Sequence, residues 1–263
     1  MKILIGKTLL AALLAPLFVL GAGGAAAQDV LIRGATVHTA TSKGTLSNTD
    51  VLIRDGKIHS IGSGLSADGV TAIDAKGRAL TPGMFAGLST LGIQEVQAEP
   101  TTNDAGLALG APAYEMQWRP EFDVTAAYNN RSILIPVTRI EGMTWTVLAP
   151  SSSDGGAFLA GQGAAVTLDG RADAVLDGSR SLFIDLGGSM NERSGGSRAA
   201  QWMLLEQAVH EARTRVTGEK TLLHPLGREV FARYLAGGRV VFGVNRAADI
   251  TKTIAFAKRY NIK

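Results

Sequence analysis

Chemistry needs side chains that ligate metals, move protons or attack as nucleophiles, and this chain holds few of them in productive company. It has four histidines, His38, His59, His210 and His224, and no cysteine, so thiolate catalysis and a disulfide framework are both excluded. A metal-dependent hydrolase would gather histidines and carboxylates at the carboxyl ends of parallel strands, where the ion polarises a carbonyl and activates water. His38 and His59 fall instead in short β-like runs, and His210 sits mid-helix beside Val209, positions that suit structural histidines. His224, just before Pro225, is a loop residue near a possible strand end. No G-x-S-x-G elbow is present. Gly187-Gly188-Ser189 and Gly195-Gly196-Ser197 lack the Lys-Ser/Thr ending of a phosphate loop and read as flexible loop. Better placed are Arg139 and Glu141, which precede an apolar strand-like run and are candidate substrate-binding residues. No set of metal ligands is recognisable around them.

The elements that must position these residues begin with short β-like runs. Val30 to Gly34, Asp50 to Ile58, Ile61-Gly62 and Val70 to Asp74 are rich in apolar β-branched residues and separated by Gly, Asn and Asp, which argues for strands with turns between them. Asp55-Gly56 predicts a two-residue hairpin. These strands are too few for a sizeable domain and read as part of a sandwich that takes strands from elsewhere. Gln94 to Asn130 has no sustained periodicity, but Tyr114, Met116, Trp118, Phe122 and Tyr128 predict a packed loop.

From Ser132 the pattern becomes α/β. A helix ending at Gly142 leads into a buried strand from Met143, and Ser181 to Gly187 reads as a buried parallel strand. Gly156 to Leu168 reads as an irregular strand pair kept bent by its glycines. In Ala199 to Val216, the residues Trp202, Leu205, Val209, Ala212 and Val216 line one buried helical stripe opposite Gln201, Glu211 and Arg215. A helix starts at Pro225 and stops at Gly237-Gly238; Arg239 to Asn245 is a strand and Ala248 to Tyr260 the next helix. Strands alternating with helices point to parallel βα units.

Three segments, DVLIRGATVHT, DVLIRDGKIHSIG and AIDAKGRALTPG, together with Leu80 to Thr90, resemble the sandwich-to-barrel lead of imidazolonepropionase-like amidohydrolases over residues 29 to 92. The segment around Gly142 resembles that family's Gly-x-Thr element, and Val244 to Ile250 its V-H-A element. The resemblance implies an N-terminal β-sandwich part over 28–80 and the first part of a (β/α)8 TIM-like barrel over 81–263, with further strands to follow beyond Lys263. It implies hydrolysis of carbon–nitrogen bonds other than peptide bonds, with a zinc-like divalent metal activating water. The family's paired histidines fall at Leu88 and Thr90, the aspartate before them at Ala86, and the later histidine at Asn245. Leucine cannot ligate a metal, and asparagine is a poor zinc ligand but can hydrogen-bond a substrate, so the resemblance makes Thr90 and Asn245 candidate substrate-binding residues as well. The alternative is a non-catalytic relative whose cleft binds a small ligand or a partner.

Residues 1–27 read as an export signal: Lys2 and Lys7, an apolar run from Leu9 to Leu20, and Ala25-Ala26-Ala27 as a small-residue cleavage pattern. The protein is therefore expected in the periplasm or secreted, with no membrane span left after cleavage. The formal charge of +3 becomes +3 − 2 = +1 once the two signal lysines are removed, which argues against nucleic acid as a partner. A small molecule is the expected partner, with a homo-oligomer possible. Hydrophobic residues make up 46% and charged residues 19%, which suits a globular protein with a buried core.

Overall fold

The computed structural model describes residues 29–107, 118–151, 158–192, 194–214 and 221–263. The export segment, the loop residues Tyr114 and Met116, and Arg215 and Val216 lie outside the described residues. The chain forms two compact units, divided after Pro82. Among the described residues no helix is long and apolar enough to cross a membrane.

The first unit is a mixed sheet built around β1 (Val30–His38). On one edge β2 (Thr45–Arg54) runs antiparallel and turns back into β3 (Lys57–Gly62). On the other edge β4 (Thr71–Asp74) and β5 (Ala79–Leu80) lie parallel to β1. Asp55 and Gly56 both take positive φ, 50° and 70°, which matches the strand twist and makes the predicted hairpin. Ala35, Val37 and Val51 form a small core with Ala75. Buried Asp50 is tolerated because its carboxylate accepts from the backbone N–H groups of Gly34 and Leu65. One sheet of the expected sandwich is thus present among the described residues.

In the second unit, β6 (Met84–Ser89) pairs in parallel with β7 (Met143–Leu148), which follows α1 (Leu134–Ile140). Gly142, at φ 83°, ends α1 as its glycine predicts. The long connection before α1 is packed where it is described. Trp118 meets Phe158 edge-on at 4.1 Å, and Phe122 and Tyr128 cover a cluster of Ile93, Val124, Leu148 and Val166.

The residues after β7 depart from a barrel. β8 (Leu159–Gly163) and β9 (Ala165–Thr167) do form the predicted bent strand pair, but they do not pair with each other. β9 is antiparallel to β7, and β8 is antiparallel to β10 (Ser181–Asp185). Ala164, between them, accepts from Leu148 N–H, so residues 158–168 act as one bent segment bonded to both neighbours. In a (β/α)8 barrel β7 and β10 would be consecutive parallel strands bonded directly to each other. Here this segment occupies the edges they would share, and no helix intervenes between β9 and β10. Among the described residues the strands close no barrel; the unit is a mixed α/β structure.

β10 continues in parallel to β11 (Arg239–Gly243). Between them lie α2 (Arg198–Thr214) and α3 (Pro225–Leu235), and α4 (Ala247–Tyr260) follows. Leu205, Val209 and Ala212 are buried with Phe158, Leu182, Ile184, Phe231 and Phe256 in the main core, each large apolar side chain contributing about 1.5–3 kcal/mol. The predicted polar face of α2 needs correction, because Gln201 and Glu211 are buried, 1% and 3% exposed. Both carboxyl and amide ends are spent on loop backbone: the Glu211 carboxylate accepts from Leu222 N–H and Leu223 N–H, each at 3.0 Å.

The bent segment is tightest at Gly163, where a Cβ would lie 1.8 Å from the Leu148 carbonyl oxygen. Gly163→Ala is expected to destabilise the protein by about 3 kcal/mol, read as a lowered denaturant midpoint. An unchanged midpoint would refute the close approach.

Candidate functional site

β7 and β10 are both antiparallel to the same segment and so run in one direction, but in succession along it: Leu148, at the end of β7, bonds Ala164, while Ser181, at the start of β10, pairs with Gly163, so the ends of β10 and β11 form a carboxyl edge of their own. Ligands of open α/β sheets bind outside this carboxyl edge. The chain leaves β10 through Gly187, whose φ of 129° is open to glycine and strained for other residues. Gln201, from the first turns of α2, holds this turn from both sides. Its Oε1 accepts from Gly187 N–H at 3.0 Å, and its Nε2 donates to the Gly187 carbonyl at 2.7 Å and to Asn191 Oδ1 at 3.1 Å.

A charged cluster lies where α2 and α4 begin. Asp249 is 4% exposed, and its carboxylate accepts from Arg198 Nε at 3.0 Å and from Arg246 at 3.1 Å. A buried carboxylate needs such partners, and its position in the first turn of α4 adds a favourable interaction with the helix dipole. Asn245, directly after β11, reaches toward the Gly187 turn; its Oδ1 lies 3.6 Å from where a Cβ on Gly187 would sit.

The four candidates from the sequence are not brought together. Thr90 follows β6 and Asn245 follows β11, strands of two different sheets. Thr90 Oγ1 donates to Gln94 Oε1 at 3.0 Å, so its hydroxyl is already engaged. Arg139 and Glu141 precede β7 and therefore lie at the opposite, amino edge, exposed and joined by no ion pair. Strand direction thus sets them at the start of β7, away from the ends of β10 and β11. Sequence reasoning missed Gln201, Arg198, Arg246 and Asp249. Their signal was position: polar residues in the opening turns of helices that follow strand ends.

The divalent metal implied by the family resemblance does not fit the residues present. Leu88, 56% exposed, offers only hydrocarbon, and the Thr90 hydroxyl is taken by Gln94. All four histidines are exposed and scattered over different elements. Among the described residues no group of three His, Cys, Asp or Glu side chains could hold an ion.

Two open clefts lie at strand starts, one beside the start of β10 and one beside the start of β7, away from this cluster. One, of about 480 Å³, is lined by Val175, Leu176, Asp177, Gly178, Arg180 and Tyr234. The other, of about 410 Å³, is lined by Thr144, Trp145, Thr167, Asp169 and Leu176. They are shallow, and their polar groups are committed to structure: Arg180 pairs with Asp123, and Tyr234 donates to Gln162 Oε1 at 2.9 Å. Burial alone would raise the Asp169 carboxyl, but hydrogen bonds from Arg171 and Thr167 outweigh it and lower its pKa. The carboxyl edge of β10 and β11 is therefore the stronger candidate.

No family model matches the chain, and no curated protein does either. Among solved structures the chain is similar to an amidohydrolase from Thermotoga maritima MSB8, with a TM-score of 0.71 and 18% identity. The fold is amidohydrolase-like. The match covers 89% of this chain and 63% of that one, so the chain spans less than two thirds of its structural relative. A triazine hydrolase from Arthobacter aurescens aligns over 90% of this chain and 52% of its own at 15% identity, but its TM-score of 0.32 adds no argument.

Two predictions test this geometry. Gln201→Leu leaves the buried Gly187 N–H without a partner, while the Gly187 carbonyl keeps its bond from Met190 N–H, and is expected to cost roughly 1–3 kcal/mol, with faster amide exchange confined first to the turn after β10. Burial raises the Tyr234 phenol above its ordinary value of 10.0. The folded form then keeps this proton to higher pH than the unfolded form. That contribution to stability is complete below pH 10 and lost as pH rises through the raised folded pKa. Thermal midpoints should therefore fall above about pH 10, and Tyr234→Phe should show a lower midpoint at neutral pH but a shallower alkaline decline.

Proposed function

We propose that this chain is a diverged amidohydrolase-like protein that binds a small molecule at the carboxyl edge of β10 and β11, its metal-gripping positions given over to other side chains. The observation that carries the reading is the Gly187 turn locked by Gln201 beside the doubly paired Asp249. A fixed glycine turn and oriented guanidinium groups outside parallel strand ends form a preorganised recognition surface. The family resemblance suggests a ligand with an amide or cyclic amide. The Lys2, Lys7 and Leu9 to Leu20 signature supports export to the periplasm or beyond as part of this proposal.

A second reading is hydrolysis of a non-peptide carbon–nitrogen bond by metal-activated water, and the fold likeness over 89% of the chain favours it. Fold alone does not carry function, and Leu88, Thr90 and Asn245 give that chemistry no ligands, so it ranks second. Metal analysis separates the two. After dialysis the purified protein is expected to retain well under one equivalent of zinc, manganese or iron, and chelation is expected to leave ligand binding unchanged. Stoichiometric metal together with chelator-sensitive turnover of cyclic amides would overturn the first reading in favour of the second.

A further inference from the structure

We infer that Arg198 and Arg246 form a subsite for a carboxylate group on the ligand, a step that rests on reading the carboxyl edge as the small-molecule site. Each guanidinium spends one nitrogen on Asp249: Arg198 its Nε at 3.0 Å, and Arg246 a terminal nitrogen at 3.1 Å. The other nitrogens have no partner among the described residues, and the two side chains are 32% and 51% exposed. An arginine presents five N–H donors in a rigid fork, so most of the donor capacity at this point is unused. Arg198 also stands over the turn after β10, a terminal nitrogen lying 3.2 Å from where a Cβ on Gly188 would sit. A side chain at Gly188 would crowd that guanidinium; the glycine leaves it open.

The charge balance selects the ligand group. Within the Asp249 cluster two arginines and one aspartate sum to +2 − 1 = +1, which a single carboxylate neutralises. The planar fork also matches the two oxygens of a carboxylate. Asp249 sets the orientation of both guanidinium groups before any ligand arrives, so little side-chain ordering is left to oppose binding. The buried carboxylate is thus an orienting group and not a competitor, since its two oxygens are already occupied from one side each.

The test is calorimetric titration of the full chain with N-acetylglycine and with N-acetylglycinamide, which replaces the carboxylate by a neutral amide of similar shape. The acid is expected to bind at least tenfold more tightly, and Arg246→Gln is expected to erase that preference while leaving binding of the amide unchanged. Arg246→Lys should restore part of it. Asp249→Asn, which removes the carboxylate that orients both guanidinium groups, should weaken binding of the acid and leave the amide unaffected. Equal dissociation constants for the two probes would overturn the carboxylate subsite while leaving the small-molecule site intact. Tighter binding of inorganic phosphate than of N-acetylglycine would also overturn it. No saturable binding of either probe would overturn both the subsite and the reading beneath it.

Discussion

The backbone hydrogen bonds of residues 158–168 to strands on both sides hold the second unit together. Strands β6 and β7 on one flank and β10 and β11 on the other have no direct bond to each other, so their common direction is set by this shared antiparallel neighbour. The arrangement demands close backbone approach, which is why glycine stands at its crowded points. A Cβ on Gly161 would meet the Phe122 carbonyl at 2.5 Å, and one on Gly163 would meet that of Leu148. Glycine costs conformational entropy in a strand, and here the cost is offset by paired backbone groups on both edges of a buried segment.

Fixing β10 against β7 also fixes the ends of β10 and β11, and with them the starts of α2 and α4. The long contacts of the site follow from that framework. Arg198 and Asp249 lie on different helices, and Gln201 reaches back from α2 to the turn that precedes it. Each buried polar end in this region has a partner with good geometry, which is what makes burial of an amide and a carboxylate tolerable. Removing one partner would leave the other uncompensated, so the network locks one geometry more than it adds net stability.

Much of the local structure was legible because it depends on neighbours in sequence. Asp55-Gly56 makes its turn, Gly142 ends α1, Pro225 opens α3, and Leu205, Val209 and Ala212 form the buried stripe of α2, all from spacing and backbone preference. What depended on distant partners was not legible. Gln201 and Glu211 occupy the positions of a polar helix face, yet they are buried because loop backbone groups elsewhere need acceptors and donors. Apolar periodicity carries no information about that need. The separate pairing of β8 and β9 was hidden for the same reason: glycines announce a bend but not which strand each half will meet. Arg139 and Glu141 were misplaced because proximity to a strand does not say which end of it faces a ligand.

The likeness of fold and the unlikeness of the metal positions are compatible on energetic grounds. Side chains at strand ends contribute little to the core, which here is made by Phe158, Leu182, Leu205, Phe231 and Phe256, all away from Leu88 and Thr90. Replacing a histidine at such an end therefore leaves the packing that specifies the fold unchanged. The reverse does not hold. A bulky residue at Gly163 or an apolar one at Gln201 would disturb the sheet or the turn on which any site at this edge depends, whatever its chemistry. Selection for the scaffold and selection for strand-end chemistry thus act on different residues.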